Sequence, residues 1–148
     1  MRIDATTPVA APQAEVFRRL SDFDRLAARI GSDAVALHRV GGEWVAQVRF
    51  HGVERTGHLY LIGMAPPEAY RVRGAMDGVE AIMAVAVSAE GPFRSRVDVA
   101  IEARAASLKG RILVHTLRLM QHRMTERLAA RLATFAREIE AEVAAGPV

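Results

Sequence analysis

Acid–base or metal chemistry needs several titratable side chains held close together, and this sequence offers few. Its histidines are His38, His51, His58, His115 and His122, none at ligand spacing beside a carboxylate. There is no cysteine, which excludes thiolate nucleophiles, disulfides and cysteine-ligated metals. No glycine-rich phosphate loop, Gly-x-Ser-x-Gly elbow or His-Glu-x-x-His pair occurs. Asp22 and Asp24 read as helix caps, and Glu138, Glu140 and Glu142 as charges on a fraying helix end. Three polar residues remain that could meet a ligand: Arg39, Arg55 and Tyr70. The Tyr70 hydroxyl would either orient a ligand's polar group or bond a backbone carbonyl, the commoner outcome for a buried tyrosine. Arg55 offers a two-pronged guanidinium to a ligand carboxylate, or a solvated charge if its register shifts by one residue. The expectation is no catalytic constellation, no metal site and no cofactor.

These residues must be positioned by strands, because the period of the sequence is two from Asp33 to Glu102. Gly41-Gly42 is a two-residue hairpin signal that pairs Val40 with Glu43, Leu37 with Ala46 and Val35 with Val48. A turn at His51-Gly52 pairs Trp44 with Leu59, Ala46 with Gly57 and Val48 with Arg55. Asp77-Gly78 pairs Gly74 with Ala81, Val72 with Met83 and Tyr70 with Val85. In each register the apolar faces coincide, an independent check because a one-residue slip would turn every side chain over. His38, His51 and His58 then fall on the solvent face, and Leu61 joins Leu59 on the buried one. Glu90-Gly91-Pro92 turns the chain into a last strand carrying Val97, Val99 and Ile101.

Ahead of these strands, Ile3, Ala5 and Thr7 alternate in a first strand. Pro12 then opens a short helix with Val16, Phe17 and Leu20 on one side. Ser21-Asp22 caps a second, carrying Phe23, Leu26, Ala27 and Ile30 and stopping at Gly31. After the strands, Ser107 caps a proline-free run to about Val143. Leu113, Leu117, Met120, Met124, Leu128, Leu132, Phe135 and Ile139 recur there every three or four residues. That spacing predicts one amphipathic helix on the order of 50 Å long. An antiparallel meander with one apolar face needs a cover, and this stripe is long enough to supply it. His115 and His122 fall on its outer side.

The chain of 148 residues is 51% hydrophobic, enough for one core and one domain over 1–148. No apolar run approaches a membrane span and no leader-like segment is legible, so the expected location is cytoplasmic. The isoelectric point near 10.1 overstates the basicity, because nineteen of the twenty basic residues are arginine. Residues 1–106 are balanced, and the whole excess of +3 lies on the C-terminal helix. Arg123 with Glu126 is an expected pair on that face. Aromatics are not interleaved with these cations, which argues against nucleic acid. The face is compatible with weak contact with an anionic membrane surface or an acidic partner.

The order β-αα-β6-α resembles the START/Bet v 1-like superfamily (SRPBCC proteins, including polyketide cyclase-like and CoxG-like members). So does the text Ala11-Pro-Gln-Ala-Glu-Val-Phe17 followed by Ser21-Asp-Phe23. The resemblance implies an α+β helix-grip fold, a curved antiparallel sheet wrapped around the long C-terminal helix, with an apolar cavity between them. The expected lining is Trp44, Val48, Arg55, Leu59, Tyr70, Val72 and Met83 from the sheet, roofed by Leu117, Met120 and Met124. Met83, Met120 and Met124 could equally be ordinary core. Gly57, Gly74, Ala46 and Ala81 are small enough to leave volume there. The functional expectation is binding of a small hydrophobic or amphipathic ligand, a lipid or an aromatic compound, by a monomer or homodimer. Cyclase- or dehydratase-type catalysis by shaping a flexible substrate and a purely protein- or membrane-docking role are the alternatives.

Overall fold

The period-two stretch becomes six consecutive strands, and the N-terminal strand closes onto the last of them. The computed structural model describes residues 1–30, 35–50 and 52–146. In chain order the elements are β1 (Arg2–Val9), α1 (Gln13–Leu20), α2 (Phe23–Ile30), β2 (Val35–Val40), β3 (Glu43–Phe50), β4 (Val53–Ala65), β5 (Ala69–Met76), β6 (Val79–Gly91), β7 (Arg94–Ala105), α3 (Leu108–Leu119) and α4 (Gln121–Ala144). The sheet is antiparallel and seven-stranded, ordered β1-β7-β6-β5-β4-β3-β2. The expected helix stop at Gly31, the strand start at Asp33 and the turn residue His51 lie outside the described residues.

All three hairpin registers read from the sequence are found: Leu37 opposite Ala46, Trp44 opposite Leu59, and Val72 opposite Met83. Asp77 (φ 48°) and Gly78 (φ 76°) both take the left-handed conformation of a tight hairpin turn. Leu61 lies opposite Val72 on the inner face that Leu59 also occupies, but it is 47% exposed rather than buried. The pairing of β4 with β5 shifts just beyond it, between Leu61 and Gly63.

The main core joins Val9, Val16, Phe17 and Leu20 to Val85, Val87, Val97 and Val99 of the sheet and to Leu132, Ala136 and Ile139 of α4. Val16, Phe17 and Leu20 are the face the spacing in α1 predicts. Neither short helix would persist alone in water; α1 holds because α4 and the sheet enclose that face, and α2 rests on β2.

The C-terminal run is not one rod. Met120 leaves helical geometry (φ −104°, ψ 4°), dividing it into α3 and α4. No proline causes this. α3 lies on β7 and β6 while α4 lies along β1, so a straight helix could not serve both parts of the curved sheet. The side-chain amide of Gln121 donates to the Arg2 carbonyl at 2.8 Å and fixes the joint to β1. α3 builds a second, smaller core from Leu113 and Val114 with Val79 and Ala103. Ser107 caps it as expected, accepting from the Gly110 N–H at 3.0 Å. No helix among the described residues is long and apolar enough to cross a membrane.

Three glutamates are better anchored than a fraying end requires. Glu142 accepts from Arg19 and Arg25, Glu138 pairs with Arg29, and Glu140 accepts from the Ala10 N–H at 2.7 Å. α4 is thus strapped to α1, α2 and the end of β1. Glu126 pairs with His122 at 2.9 Å rather than with Arg123, both partners lying on the exposed side.

Candidate functional site

The cavity that best suits an apolar molecule lies between α2 and the inner face of β2–β6. Its volume is about 280 Å³, just below the usual range of roughly 300–1,000 Å³ for small-molecule sites. α2 contributes Phe23, Leu26 and Ala27, β2 contributes Leu37 and Arg39, and β3 contributes Trp44. Leu59 and Leu61 of β4, Tyr70 and Val72 of β5 and Met83 of β6 complete the floor. A larger hollow of about 510 Å³ lies against β1, β5, β6 and β7. It is lined by Arg2, Arg73, Glu80, Glu102 and Arg104, whose charges largely pair with one another. That hollow suits water, not an apolar ligand.

Tyr70 fixes the inner end of the cavity. Its ring meets Phe17 and Phe23 edge-on, with centroids 6.1 and 5.2 Å away. Its hydroxyl donates to the Leu20 carbonyl at 2.7 Å, the backbone-bonded alternative of the two the sequence left open. Burial pushes its phenol well above the ordinary value, so it stays protonated and acts as neither base nor nucleophile at neutral pH.

Arg39 marks the outer end. Its guanidinium lies over the Trp44 ring, 4.9 Å from the centroid, and approaches Asp24 of α2 at 3.3 Å. Asp24 is therefore an ion-pair partner rather than a cap. Asp22 does cap, accepting from the Arg25 N–H at 3.3 Å. The Arg39–Asp24 contact joins the β2–β3 hairpin to α2 beside the cavity.

Of the residues expected to line a site, Trp44, Leu59, Tyr70, Val72 and Met83 share this wall. Val48, Arg55, Leu117, Met120 and Met124 are not on it. The Arg55 guanidinium turns to the β5–β6 turn and donates to Asp77 at 2.6 Å. Its Nε is buried without a partner among the described residues. That hydrogen bond, aided by Lys109 at 3.7 Å, holds the Asp77 carboxyl below its ordinary value. Leu117 packs beside the smaller core under α3, and Met120 and Met124 are half-buried along the C-terminal helices.

The volume over the small residues is not left open either. Leu59 Cδ2 sits 2.8 Å from where a Cβ on Gly74 would be, and Met76 covers Gly57 at 3.4 Å. Sheet neighbours fill that space, so the open volume lies nearer α2. Phe23, Leu26 and Leu37 are among the wall residues that sequence reasoning missed. Their helical and alternating spacing was visible, but nothing in it separates a face over a cavity from a face in a core. His38, His58, His115 and His122 are all exposed.

The chain matches the family described as polyketide cyclase/dehydrase and lipid transport over residues 1–140. Among solved structures it is similar to the Zhui aromatase/cyclase from a Streptomyces species. That match has 20% identity and a TM-score of 0.69, covering 100% of this chain and 99% of the other. It is similar to norcoclaurine synthase from Thalictrum flavum, determined with dopamine and hydroxybenzaldehyde (15% identity, 100% and 88% covered, TM-score 0.62). A START superfamily protein from Mycobacterium smegmatis also matches (15% identity, 86% and 99% covered, TM-score 0.51). At these identities the structures establish a shared helix-grip fold and no activity. No curated protein matches the chain in sequence.

Proposed function

The chain belongs to the polyketide cyclase/dehydrase and lipid-transport family, and on that premise we propose that it binds a small apolar ligand, aromatic in at least one part, between α2 and the sheet. One observation carries this reading: a cavity of about 280 Å³ whose walls are aliphatic and aromatic and whose one charged group, Arg39, stands at the rim. That volume suits a ligand of one or two rings rather than a long-chain lipid. Trp44, Tyr70 and Phe23 offer ring edges and faces to an aromatic guest, while Leu26, Leu59 and Met83 supply adaptable apolar contact.

The wall chemistry supports binding over acid–base catalysis. Its titratable groups are Arg39, Tyr60 and Tyr70, and the Tyr70 hydroxyl is already engaged by Leu20. Any turnover would come from holding a flexible substrate in a reactive shape.

The single tryptophan of the chain is Trp44, so ligand entry has an intrinsic reporter. Titration with naphthol should shift or quench Trp44 emission saturably. Val72→Phe, which fills the cavity, should raise the Kd at least about tenfold, equivalent to about 1.4 kcal/mol. A linear, non-saturating response, or one indifferent to Val72→Phe in a folded variant, would reject the site.

A further inference from the structure

On α3 the burial pattern is inverted at three positions. Leu108, Ile112 and Leu119 are 76%, 72% and 78% exposed. They are three of the four most exposed large apolar side chains in the described structure; Phe93 is the other. At about 100° per residue they fall within roughly 40° of one another around the helix, opposite the face that carries Leu113, Val114 and Leu117. An apolar stripe on the outer side of a twelve-residue helix serves no core.

The charges beside the stripe have one sign. α3 contains Lys109, Arg111 and Arg118 and no acidic residue. Arg111 and Arg118 are exposed and have no ion-pair partner among the described residues, and Lys109 meets only Asp77. Protein interfaces are usually anchored by aromatic side chains, and this stripe has none. A second copy of the chain would bring three cations against three cations. An apolar ridge bordered by arginines is instead the pattern of a helix lying in the plane of a bilayer surface. There the aliphatic side chains enter the acyl boundary and the guanidinium groups reach anionic headgroups.

We infer that α3 docks the protein onto anionic phospholipid surfaces, inserting Leu108, Ile112 and Leu119 between headgroups contacted by Arg111 and Arg118. The surface is separate from the cavity against α2, so it operates whatever that cavity holds. Its contribution is reversible, because three aliphatic side chains and two or three cations give far less hold than a spanning helix.

Vesicle flotation tests this with phosphatidylcholine liposomes with and without phosphatidylserine, at ionic strengths of about 0.1 M and about 1 M, where the Debye length falls from about 10 Å to about 3 Å. The protein should float with the anionic vesicles at low salt and partition at least about tenfold less at high salt or on neutral vesicles. Ile112→Asp and Leu119→Asp, at sites too exposed to burden the fold, should each lose at least about tenfold. Arg111→Glu with Arg118→Glu should abolish the preference for phosphatidylserine. Binding unaffected by the two aspartate variants, equal binding to neutral vesicles, or no flotation at all would overturn the proposal. So would a concentration-dependent dimer that Ile112→Asp dissolves, which would make the stripe a contact between copies.

Discussion

Tyr70 shows most clearly what one side chain does here. Its ring closes the inner end of the cavity, while its hydroxyl satisfies the Leu20 carbonyl at the end of α1. Tyr70→Phe leaves that carbonyl unpaired in an apolar setting and should cost about 1–3 kcal/mol in chemical denaturation, with the cavity shape preserved. The same residue sets an alkaline limit. Burial raises its folded pKa above the ordinary value of 10.0, so the folded state holds the phenolic proton more tightly than the unfolded chain. The stability from this group is complete below pH 10 and is lost as pH climbs from there towards the folded pKa. A stability profile above pH 9 should fall less steeply for Tyr70→Phe than for the parent. Parallel profiles would contradict the assignment.

Among the elements, the C-terminal helices carry the sharpest lesson. The stripe recurring every three or four residues is real, but a regular stripe cannot show where a helix must bend to follow a curved sheet. Only the packing of α3 on β6 and β7, and of α4 on β1, locates the joint at Met120. The seat of α3 is tight at its start: a Cβ on Gly110 would run into the Gly78 carbonyl carbon and oxygen. Gly110→Ala should therefore destabilise the fold by about 1–3 kcal/mol, although alanine favours helices. A thermal melt showing no loss would mean that α3 is not seated on this turn. At the other end, the hydrogen bond from Arg25, helped by Arg19, holds the Glu142 carboxyl below its ordinary value of 4.5. A lowered folded pKa gives stability that is present above pH 4.5 and is lost as pH falls through the folded value. Glu142→Gln should flatten that acid limb. The effect is modest because the group is partly solvated, and identical acid profiles would argue that the strap to α1 and α2 is inert.

For the whole molecule, strand order and register were legible because each hairpin carries its own turn residues and each register could be checked against the apolar face it produces. The family resemblance supplied the wrap of sheet and helix. The cavity was only half legible. Trp44, Leu59, Tyr70, Val72 and Met83 could be placed on one face by alternation alone. Filling of the Gly74 site by Leu59 depends on the β4–β5 register, which carries no two-residue turn signal, and diversion of Arg55 to Asp77 depends on the β5–β6 turn. The position of α2 over β2 and β3 leaves no periodic signature at all. The sequence therefore pointed to a space under the C-terminal helix, whereas the open volume lies under α2.

Methyl-resolved NMR of the protein titrated with naphthol measures that displacement directly. Saturable shifts are predicted for the methyl groups of Leu26, Leu37, Leu59, Val72 and Met83, with those of Leu113, Val114 and Leu117 unmoved. Shifts centred on Leu117, Met120 and Met124 would place the ligand under the C-terminal helices instead and contradict the site described here.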